Sequence, residues 1–387
     1  MTTRLPSGHY LNVGAGSEPF RAFIPAPLPP EAMPEVSQFQ DLYEKTNRAL
    51  GRLDGLTALL PDTSLFLYMY IRKEAVLSSQ IEGTQSSLSD LLLLEDTGVP
   101  GVPLDDVQEV SNYVAALNHG LDRLKGGFPP SLRLRCEIHK VLLSKGRGSG
   151  KDPGEFRRSQ NWVGGSRPGN ANYVPPPPEY LLDCLGALEK FLHNDPVPVP
   201  TLIKAALTHV QFESIHPFLD GNGRLGRLLI TFLLCSEGAL SEPLLYLSLF
   251  FKRHREEYYD RLQKVRTEGD WLGWIVFFLT GVKDTSEQAC QTAARLLKLF
   301  DDDRKKIQTL GRPTGSALRV HQYLQTKPLC TVPTAAKALN LTDPTVRASL
   351  DHLTKLGIVR ETSGKRRNKV HAYDAYINIL NEGTEPF

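Results

Sequence analysis

Twelve consecutive residues near the middle of the chain have side chains suited to phosphate chemistry. Residues 216–227 read HPFLDGNGRLGR, which places an imidazole, a carboxylate, a glycine turn and two guanidinium groups close together. His216 is a candidate general base, because an imidazole titrates near neutral pH. Asp220 can hold Mg²⁺, since proteins usually bind this ion through one or two carboxylates plus substrate phosphates.

The turn inside this segment is suited to bind an anion. Gly221 and Gly223 can adopt backbone angles that other residues avoid, so the N–H groups of the turn can converge on phosphate oxygens. The apolar run 224–237 predicts a helix directly after the turn, and the N-terminal end of a helix dipole also favours an anion. Arg224 and Arg227 share one face of that helix, where planar forks can hold outer phosphates. We therefore expect a nucleoside triphosphate here.

Two other interpretations of the segment have to be weighed. Asp-Gly and Asn-Gly are common turn formers, so the turn between two helices could be purely structural. The spacing Gly221-x-Gly223-x-x-Gly226 also imitates a dinucleotide-binding loop. That loop follows a strand, whereas residues 201–215 have a helix-like pattern, so we reject it. The residues alone leave the structural turn and the phosphate site open.

The twelve residues also resemble the motif of the Fic family, His-x-Phe-x-Asp/Glu-Gly-Asn-Gly-Arg-x-x-Arg, at every specified position. The resemblance implies a mainly α fold, a Fic-type helical bundle with a β-hairpin flap. It implies an adenylyltransferase that moves AMP from Mg-ATP to a Ser, Thr or Tyr hydroxyl of a target protein or of itself. His216 would be catalytic and Asp220 would hold the metal. ATP would be bound by Glu82, His216, Gly221, Asn222, Gly223, Arg224, Leu225, Gly226, Arg227 and Tyr258.

A predicted helix upstream ends in a way that could control this site. The helical pattern 64–82 ends at Gly83, and glycine suits the left-handed position that closes a helix. Glu82 would lie at the negative end of the dipole, where a carboxylate needs a cation unless it is simply solvated. The stretch resembles the Fic inhibitory motif Ser/Thr-x-x-x-Glu-Gly/Asn, matched by Ser78, Glu82 and Gly83. The resemblance implies that Glu82 pairs with Arg227 and blocks the γ-phosphate; Glu82 positioning a water for AMP removal is the alternative.

The helical pattern breaks between residues 153 and 178. Short β-prone pieces around a Gly-rich turn predict a hairpin over 161–174, and prolines follow it. The hairpin resembles the Fic flap, which implies an exposed edge that pairs with the target's backbone; a plain surface loop is the alternative. Farther along, the resemblance places adenine beside Tyr258, and Arg266 stands where relatives have an asparagine.

The C-terminal part of the chain has a basic composition. From Ser316 onward there are ten Lys or Arg against six Asp or Glu. The pattern predicts three helices and then two strands over 358–373 around a basic turn, SGKRR, at 363–367. This order resembles a winged helix-turn-helix with residues 345–353 as the recognition helix. Docking to DNA and docking to a protein both remain open.

Composition sets the outer limits. The 387 residues, 41% of them hydrophobic, allow two or three domains, and a net charge of +2 excludes a general polycation. Five well-separated cysteines indicate neither a zinc site nor a disulfide framework, which fits the cytoplasm. We expect no signal peptide and no membrane contact; a homodimer is left open. The expected parts are a Fic-associated region with the inhibitory helix (1–105), a catalytic core with flap (106–284), a connecting helix and linker (285–315), and a winged helix-turn-helix domain (316–387).

Overall fold

The computed structural model describes residues 4–5, 7–14, 19–59, 63–97, 104–364 and 369–386. Helices account for most of them, as predicted. Within the described part of the chain, none of the helices is both long and apolar enough to cross a membrane. The helices of the N-terminal half are α1 Gln40–Leu59, α2 Thr63–Ile81, α3 Leu88–Thr97, α4 Leu104–Lys125, α5 Leu132–Leu142 and α6 Pro178–Leu192. Those that follow are α7 Thr201–Ile215, α8 Asn222–Ser236, α9 Ser248–Arg253, α10 Arg255–Glu268 and α11 Trp271–Gln308.

Helix α7 lies at the centre of the molecule. Every residue from 202 to 215 is buried, which is the pattern of a helix enclosed on all sides. It packs against α6, α8, α10 and α11, and α8 is itself almost entirely buried. The short loop 216–221 therefore joins two core helices, and its position is fixed from both ends.

The N-terminal residues form a sheet that the sequence analysis does not predict. Strands β1 (Arg4–Leu5), β2 (Gly8–Val13) and β3 (Phe20–Pro25) pair in that order, antiparallel. The edge of β3 continues onto the predicted flap, because Phe23 N–H donates to the carbonyl of Val174 at 2.9 Å. The sequence of β2 gives a weak strand signal, because the adjacent Tyr10 and Leu11 interrupt any alternation of apolar and polar residues.

The predicted hairpin at 161–174 is reduced to a single antiparallel bridge between Val163 and Tyr173. The intervening residues form turns. Gly164 and Gly165 both have positive φ (+70° and +68°), and a turn of 3₁₀ helix starts at Pro168. A left-handed glycine pair and a proline break a regular ladder, so the element is an irregular loop closed by one strand pair.

Helix α11 is longer than predicted, since the connecting helix expected from residue 285 begins at Trp271 and runs without a break for 38 residues. The Asp270 carboxylate accepts a hydrogen bond from Gly273 N at 2.9 Å and caps its start. Gly281 does not interrupt the helix. A Cβ at this position would lie 2.6 Å from the ring of Phe250, so the glycine lets α9 pack closely.

The C-terminal part contains the predicted helices, α12 (Thr314–Thr326), α13 (Val332–Leu339) and α14 (Asp343–Lys355). Strands β4 (Leu329–Thr331), β5 (Arg360–Glu361) and β6 (Val370–Ala372) form a three-stranded sheet in the order β4-β6-β5. A further helix, α15 (Asp374–Asn381), was not predicted. The predicted basic turn falls mostly on residues 365–368, which lie outside the described residues.

Candidate active site

His216 ends α7 with a left-handed backbone, φ 49°. Two side chains that the sequence analysis missed hold this conformation. The Arg157 guanidinium donates to the His216 carbonyl through Nε at 2.9 Å, and Asn161 Nδ2 donates to the same oxygen at 3.2 Å. A left-handed backbone is strained at residues other than glycine, and it persists only where several contacts from the surrounding structure hold it. The backbone at His216 is therefore fixed from outside its own helix.

The imidazole of His216 is built to be neutral. Burial lowers its pKa to about 4, and the positive charges of Arg266 and Arg157 act in the same direction. The Nδ1 atom lies 4.0 Å from a carboxylate oxygen of Glu213. A neutral imidazole can accept a proton at ordinary pH, which is the state that a general base requires.

The turn after His216 is closed by Asn222. Its side chain accepts from Phe218 N at 2.9 Å and donates to the Phe218 carbonyl at 2.8 Å. Gly221 takes φ +74°, and its carbonyl accepts the bond from Leu225 N that starts α8. Because the first N–H groups of a helix have no intrahelical acceptors, this turn directs them toward the site, as an anion requires.

Asp220 is anchored through its backbone by His139, a residue that the sequence analysis missed. His139 is buried and stacks on Phe218 at 3.7 Å between ring centroids. Its Nδ1 accepts from Gly154 N at 2.9 Å, so Nε2 carries the hydrogen and donates to the Asp220 carbonyl at 3.0 Å. His139 thus positions the residue that the sequence predicts as the metal ligand.

The surroundings of the Asp220 carboxylate fit Mg²⁺. The side chain is 35% exposed, and Oδ1 accepts from Gly221 N at 2.6 Å. Gly148 leaves room beside it, since a Cβ there would lie 2.7 Å from Oδ2. Over the described ranges, no cluster of three or more His, Cys, Asp or Glu side chains could enclose a metal. One accessible carboxylate beside a phosphate turn suits an ion that takes its other ligands from phosphates and water.

Arg224 is held by a buried carboxylate that the sequence analysis missed. Arg224 and Glu109 are each 1% exposed and form an ion pair, and Arg147 reaches the same carboxylate at 3.3 Å. Arg147 also donates to the Glu82 carbonyl at 3.3 Å. The available sequence signal was the pair Glu109 and Asn112, polar residues one helical turn apart within an otherwise apolar pattern.

The ion pair between Glu82 and Arg227, which the resemblance implies, is present. Arg227 Nη2 lies 2.6 Å from Glu82 Oε1 and also donates to the Ser78 carbonyl at 2.9 Å. Its Nε donates to Ser78 Oγ at 2.8 Å. Burial opposes ionisation of Glu82, but the Arg227 charge prevails and lowers the pKa of the carboxyl. Gly83 follows with φ +98°. Two nitrogens of the Arg227 guanidinium, Nε and Nη2, are thus engaged by α2 and the residue after it.

The two other glycines of the motif permit close approaches. A Cβ at Gly223 would lie 2.3 Å from Glu82 Oε1, and one at Gly226 would lie 2.3 Å from Glu213 Oε1. Between them, the side chain of Leu225 is fully buried. The predicted role of Leu225 in ATP binding can therefore involve only its backbone.

Tyr258, the predicted adenine contact, is buried in an aromatic cluster. Tyr258 is 1% exposed and its hydroxyl lies 2.7 Å from His209 Nε2, inside an aromatic stack. Its neighbour Tyr259 is 40% exposed, so Tyr259 has the more accessible ring. Arg266 is also buried; it donates to Ser214 Oγ at 3.1 Å and lies over the Tyr173 ring at 3.9 Å. It ties the flap to the end of α7.

Comparison with known proteins places this geometry in a family context. Residues 40–122 match the family described as Fic/DOC family N-terminal, and residues 129–234 match the Fic/DOC family. The chain is 36% identical over 248 residues to the protein adenylyltransferase Fic of Aedes aegypti, which covers 62% of this chain and 46% of that protein. The corresponding protein of Culex quinquefasciatus is 34% identical over 202 residues, covering 51% and 37%. The chain thus spans less than half the length of these curated relatives.

The fold has a counterpart among solved structures. A Fic family protein from Desulfovibrio desulfuricans superposes with a TM-score of 0.58 at 20% identity, over 88% of this chain and 97% of that one. This likeness extends beyond the two matched segments. Two segments of the chain thus match the Fic/DOC family, and the candidate site lies where these two segments meet.

Proposed function

We propose that this chain is a protein adenylyltransferase that transfers AMP from Mg-ATP to a Ser, Thr or Tyr hydroxyl of a target protein or of itself. The observation that carries the proposal is the position of His216, which ends α7 directly before the turn that opens the buried helix α8. Arg224 and Arg227 flank that turn on one helix face. The relatives named above as adenylyltransferases support the same reaction.

Each residue then has a defined role. His216 accepts the proton of the target hydroxyl while the hydroxyl oxygen attacks the α-phosphorus of ATP. The bond between the α-phosphorus and the pyrophosphate oxygen breaks, and pyrophosphate leaves. Arg224 stabilises the charge that develops on the leaving pyrophosphate, with Glu109 holding its guanidinium in place. The turn 221–223 cradles the phosphates. Asp220 would hold Mg²⁺, which when bound neutralises phosphate charge.

Glu82 makes this an autoinhibited enzyme in our proposal. Its carboxylate and Ser78 occupy the Arg227 fork that would otherwise grip the γ-phosphate. A triphosphate can then bind only in a misplaced pose. Glu82 is 31% exposed at the mouth of the site, so the reverse reaction, removal of AMP with Glu82 positioning a water, is the second candidate.

The loop that replaces the hairpin is the proposed dock for the target. Trp162 and Val163 are 38% and 36% exposed at its edge. An extended target segment could pair with this edge through main-chain hydrogen bonds, which would bring its hydroxyl toward His216. The far side of the loop is held by β3 and by Arg266.

Incubation with ATP labelled at the α-phosphate tests the proposal. Label on this chain or on a lysate protein supports transfer, and mass spectrometry identifies the hydroxyl. Loss of label from a modified target supports removal of AMP. If neither occurs, with ATP and Mg²⁺ present and the protein folded, the enzymatic proposal is wrong.

We predict that Asp220→Ala abolishes the Mg²⁺-dependent transfer, because the Asp220 carboxylate lies at the phosphate turn and is 35% exposed. A Mg²⁺ titration of labelling measures this. Asp152→Ala, which removes an exposed carboxylate from the nearby loop, serves as the matched control and should titrate like the unaltered chain. Unchanged Mg²⁺ dependence in Asp220→Ala would exclude this residue as the ligand.

We also propose that the chain is divided into the parts that its sequence predicts, with a winged helix-turn-helix domain at residues 316–387. Its sheet order and its three helices α12 to α14 support this assignment. The C-terminal part contacts the rest of the protein mainly through α12, β4 and α15. Helix α14 therefore faces away from the rest of the protein, and Arg347 on this helix is exposed. We propose that this face docks DNA.

Salt dependence tests the docking proposal. If the basic C-terminal part grips phosphates, affinity for duplex DNA should fall by roughly one power of salt concentration per phosphate contacted. Fluorescence anisotropy with a labelled duplex measures this, and Arg347→Ala should reduce the slope. An absence of binding even at low salt would favour a protein partner on the same face.

A further inference from the structure

The last described residues of the chain fold back onto α2. After α15 ends at Asn381, residues 382–386 lie beside the helix that carries Ser78, and Thr384 is only 1% exposed. Asn381 Nδ2 also donates to Ser89 Oγ at 3.1 Å. This tail is therefore a packed part of the body, far in sequence from the helix it touches.

Three buried side chains hold the tail by its backbone. Lys73 Nζ donates to the Glu382 carbonyl at 2.9 Å. Gln80 Nε2 donates to the Thr384 carbonyl at 2.7 Å and to the Ser86 carbonyl at 2.9 Å. Lys252, on α9, donates to the carbonyls of Gly383 and Glu385. Because the acceptors are main-chain oxygens, these side chains hold the backbone of the tail rather than particular side chains. The tail turns at Gly383, which has φ +82°, and Thr384 N donates to the Asn381 carbonyl at 2.8 Å.

Charge complements this backbone recognition. Arg295 on α11 forms a two-pronged pair with the Glu382 carboxylate at 2.6 and 2.7 Å. Lys73, Lys252 and Arg295 are positive, and the tail carries Glu382 and Glu385. Glu382 favours the charged form of Lys73, whose pKa burial lowers to about 8. The cleft thus suits a short acidic peptide.

The cleft is continuous with the inhibitory contact. Gln80 lies on α2 between Ser78 and Glu82, the two residues that hold Arg227. Its amide joins the tail to the Ser86 carbonyl, so it ties together the end of α2, the following loop and the C-terminus. A tail that leaves the cleft removes one acceptor of that amide and exposes the adjoining turn of α2.

We propose that Lys73, Gln80, Lys252 and Arg295 form a binding cleft for a short acidic peptide, that residues 382–386 are its occupant in this chain, and that occupancy keeps Glu82 on Arg227. The effect on catalysis rests on the proposed function, whereas the cleft itself does not. Only Tyr373 and α15 separate the tail from β6. A partner that displaces the C-terminal sheet would therefore pull the tail from the cleft and release the inhibition.

Peptide binding tests the cleft without any activity. A chain that ends at Asn381 keeps α15 and should bind a labelled peptide NEGTEPF, with affinity that falls as salt rises. The peptide NQGTQPF, which lacks both carboxylates, should bind at least severalfold more weakly. If NEGTEPF does not bind, or binds no better than NQGTQPF, the proposed acidic-peptide cleft is wrong.

A full-length double variant, Gln80→Leu with Lys252→Met, tests the link to the site. We expect faster amide hydrogen exchange over residues 78–84 and severalfold higher auto-labelling, with no further rise when Glu82→Gly is added. Lys283→Met removes a lysine of α11 outside the cleft and is the control. It should change neither the hydrogen exchange over residues 78–84 nor the auto-labelling. Unchanged exchange in the double variant would overturn the link. If exchange rises while even Glu82→Gly takes no label, the fault lies with the proposed enzymatic function instead.

Discussion

We expect that replacing Glu82 by glycine raises auto-labelling and target labelling from Mg-ATP about tenfold or more above the unaltered chain. Arg227 is 2% exposed, and its fork is engaged by Glu82 and Ser78. A charge-assisted bond of this kind is worth about 1.5 to 3 kcal/mol, and about 1.4 kcal/mol corresponds to a factor of ten. Removal of the carboxylate frees the guanidinium for the γ-phosphate, so the triphosphate binds in the productive pose. Initial rates of label incorporation measure the gain.

The partner of Glu82 provides the sharpest control. Glu82→Gly combined with Arg227→Ala should be inactive, because the liberated site lacks the cation that grips the phosphate. Ser78→Ala removes only one of the bonds to Arg227 and should give a smaller gain than Glu82→Gly. A folded Glu82→Gly protein that binds ATP but labels no faster than the unaltered chain would refute autoinhibition. If the substitution instead stops removal of AMP from a modified target, Glu82 is a catalytic residue of the reverse reaction.

The second large effect that we expect is the loss of AMP transfer in the His216→Ala variant, with ATP binding largely intact. The imidazole acts on the hydroxyl and not on the phosphates, and general base catalysis contributes about 10² to 10⁴ in rate. Labelling in the Glu82→Gly background, together with ATP binding measured by calorimetry, separates the two effects. His254→Ala removes an exposed histidine of the same body and should label normally. Equal labelling by His216→Ala would exclude the proposed base.

The low pKa of His216 adds a pH dependence with a definite sign. Burial and two neighbouring arginines lower this pKa to about 4, so the base form is already complete at pH 7. Transfer limited by this group should stay level as the pH falls toward 5. It should decline only as the pH approaches 4, where the imidazole becomes protonated.

The parts of the site that lie close together in sequence could be predicted. The turn 221–223 and the start of α8 follow from glycine, asparagine and an apolar helical period, all local signals. The pairing of Glu82 with Arg227 spans 145 residues and came from resemblance, with the helix-end position of the carboxylate as the physical hint. The helices could also be predicted, because their hydrophobic periodicity is a local signal.

The residues that hold the site in place could not be predicted, because their partners are distant. Arg157 and Asn161 stabilise His216 through carbonyl oxygens, and a sequence pattern gives no information about such acceptors. The buried carboxylate of Glu109 is paired with Arg224 and Arg147, which lie far from it in the sequence. The burial of Tyr258 likewise could not be predicted, because its place in an aromatic stack depends on how α7 and α10 pack.

Gly223 carries a consequence for how this protein could diverge. Its missing side chain serves the anion-binding turn, and it also leaves the space that Glu82 occupies, since a Cβ would lie 2.3 Å from the carboxylate and 3.1 Å from Arg227. An alanine at this position therefore pushes the inhibitory carboxylate out while it narrows the turn. In descendant sequences that lose Glu82, position 223 no longer has to leave space for that carboxylate, and only the turn still requires a glycine there. In sequences that keep Glu82, both requirements remain. The inhibitory and catalytic segments should consequently change together in evolution, although they lie far apart along the chain.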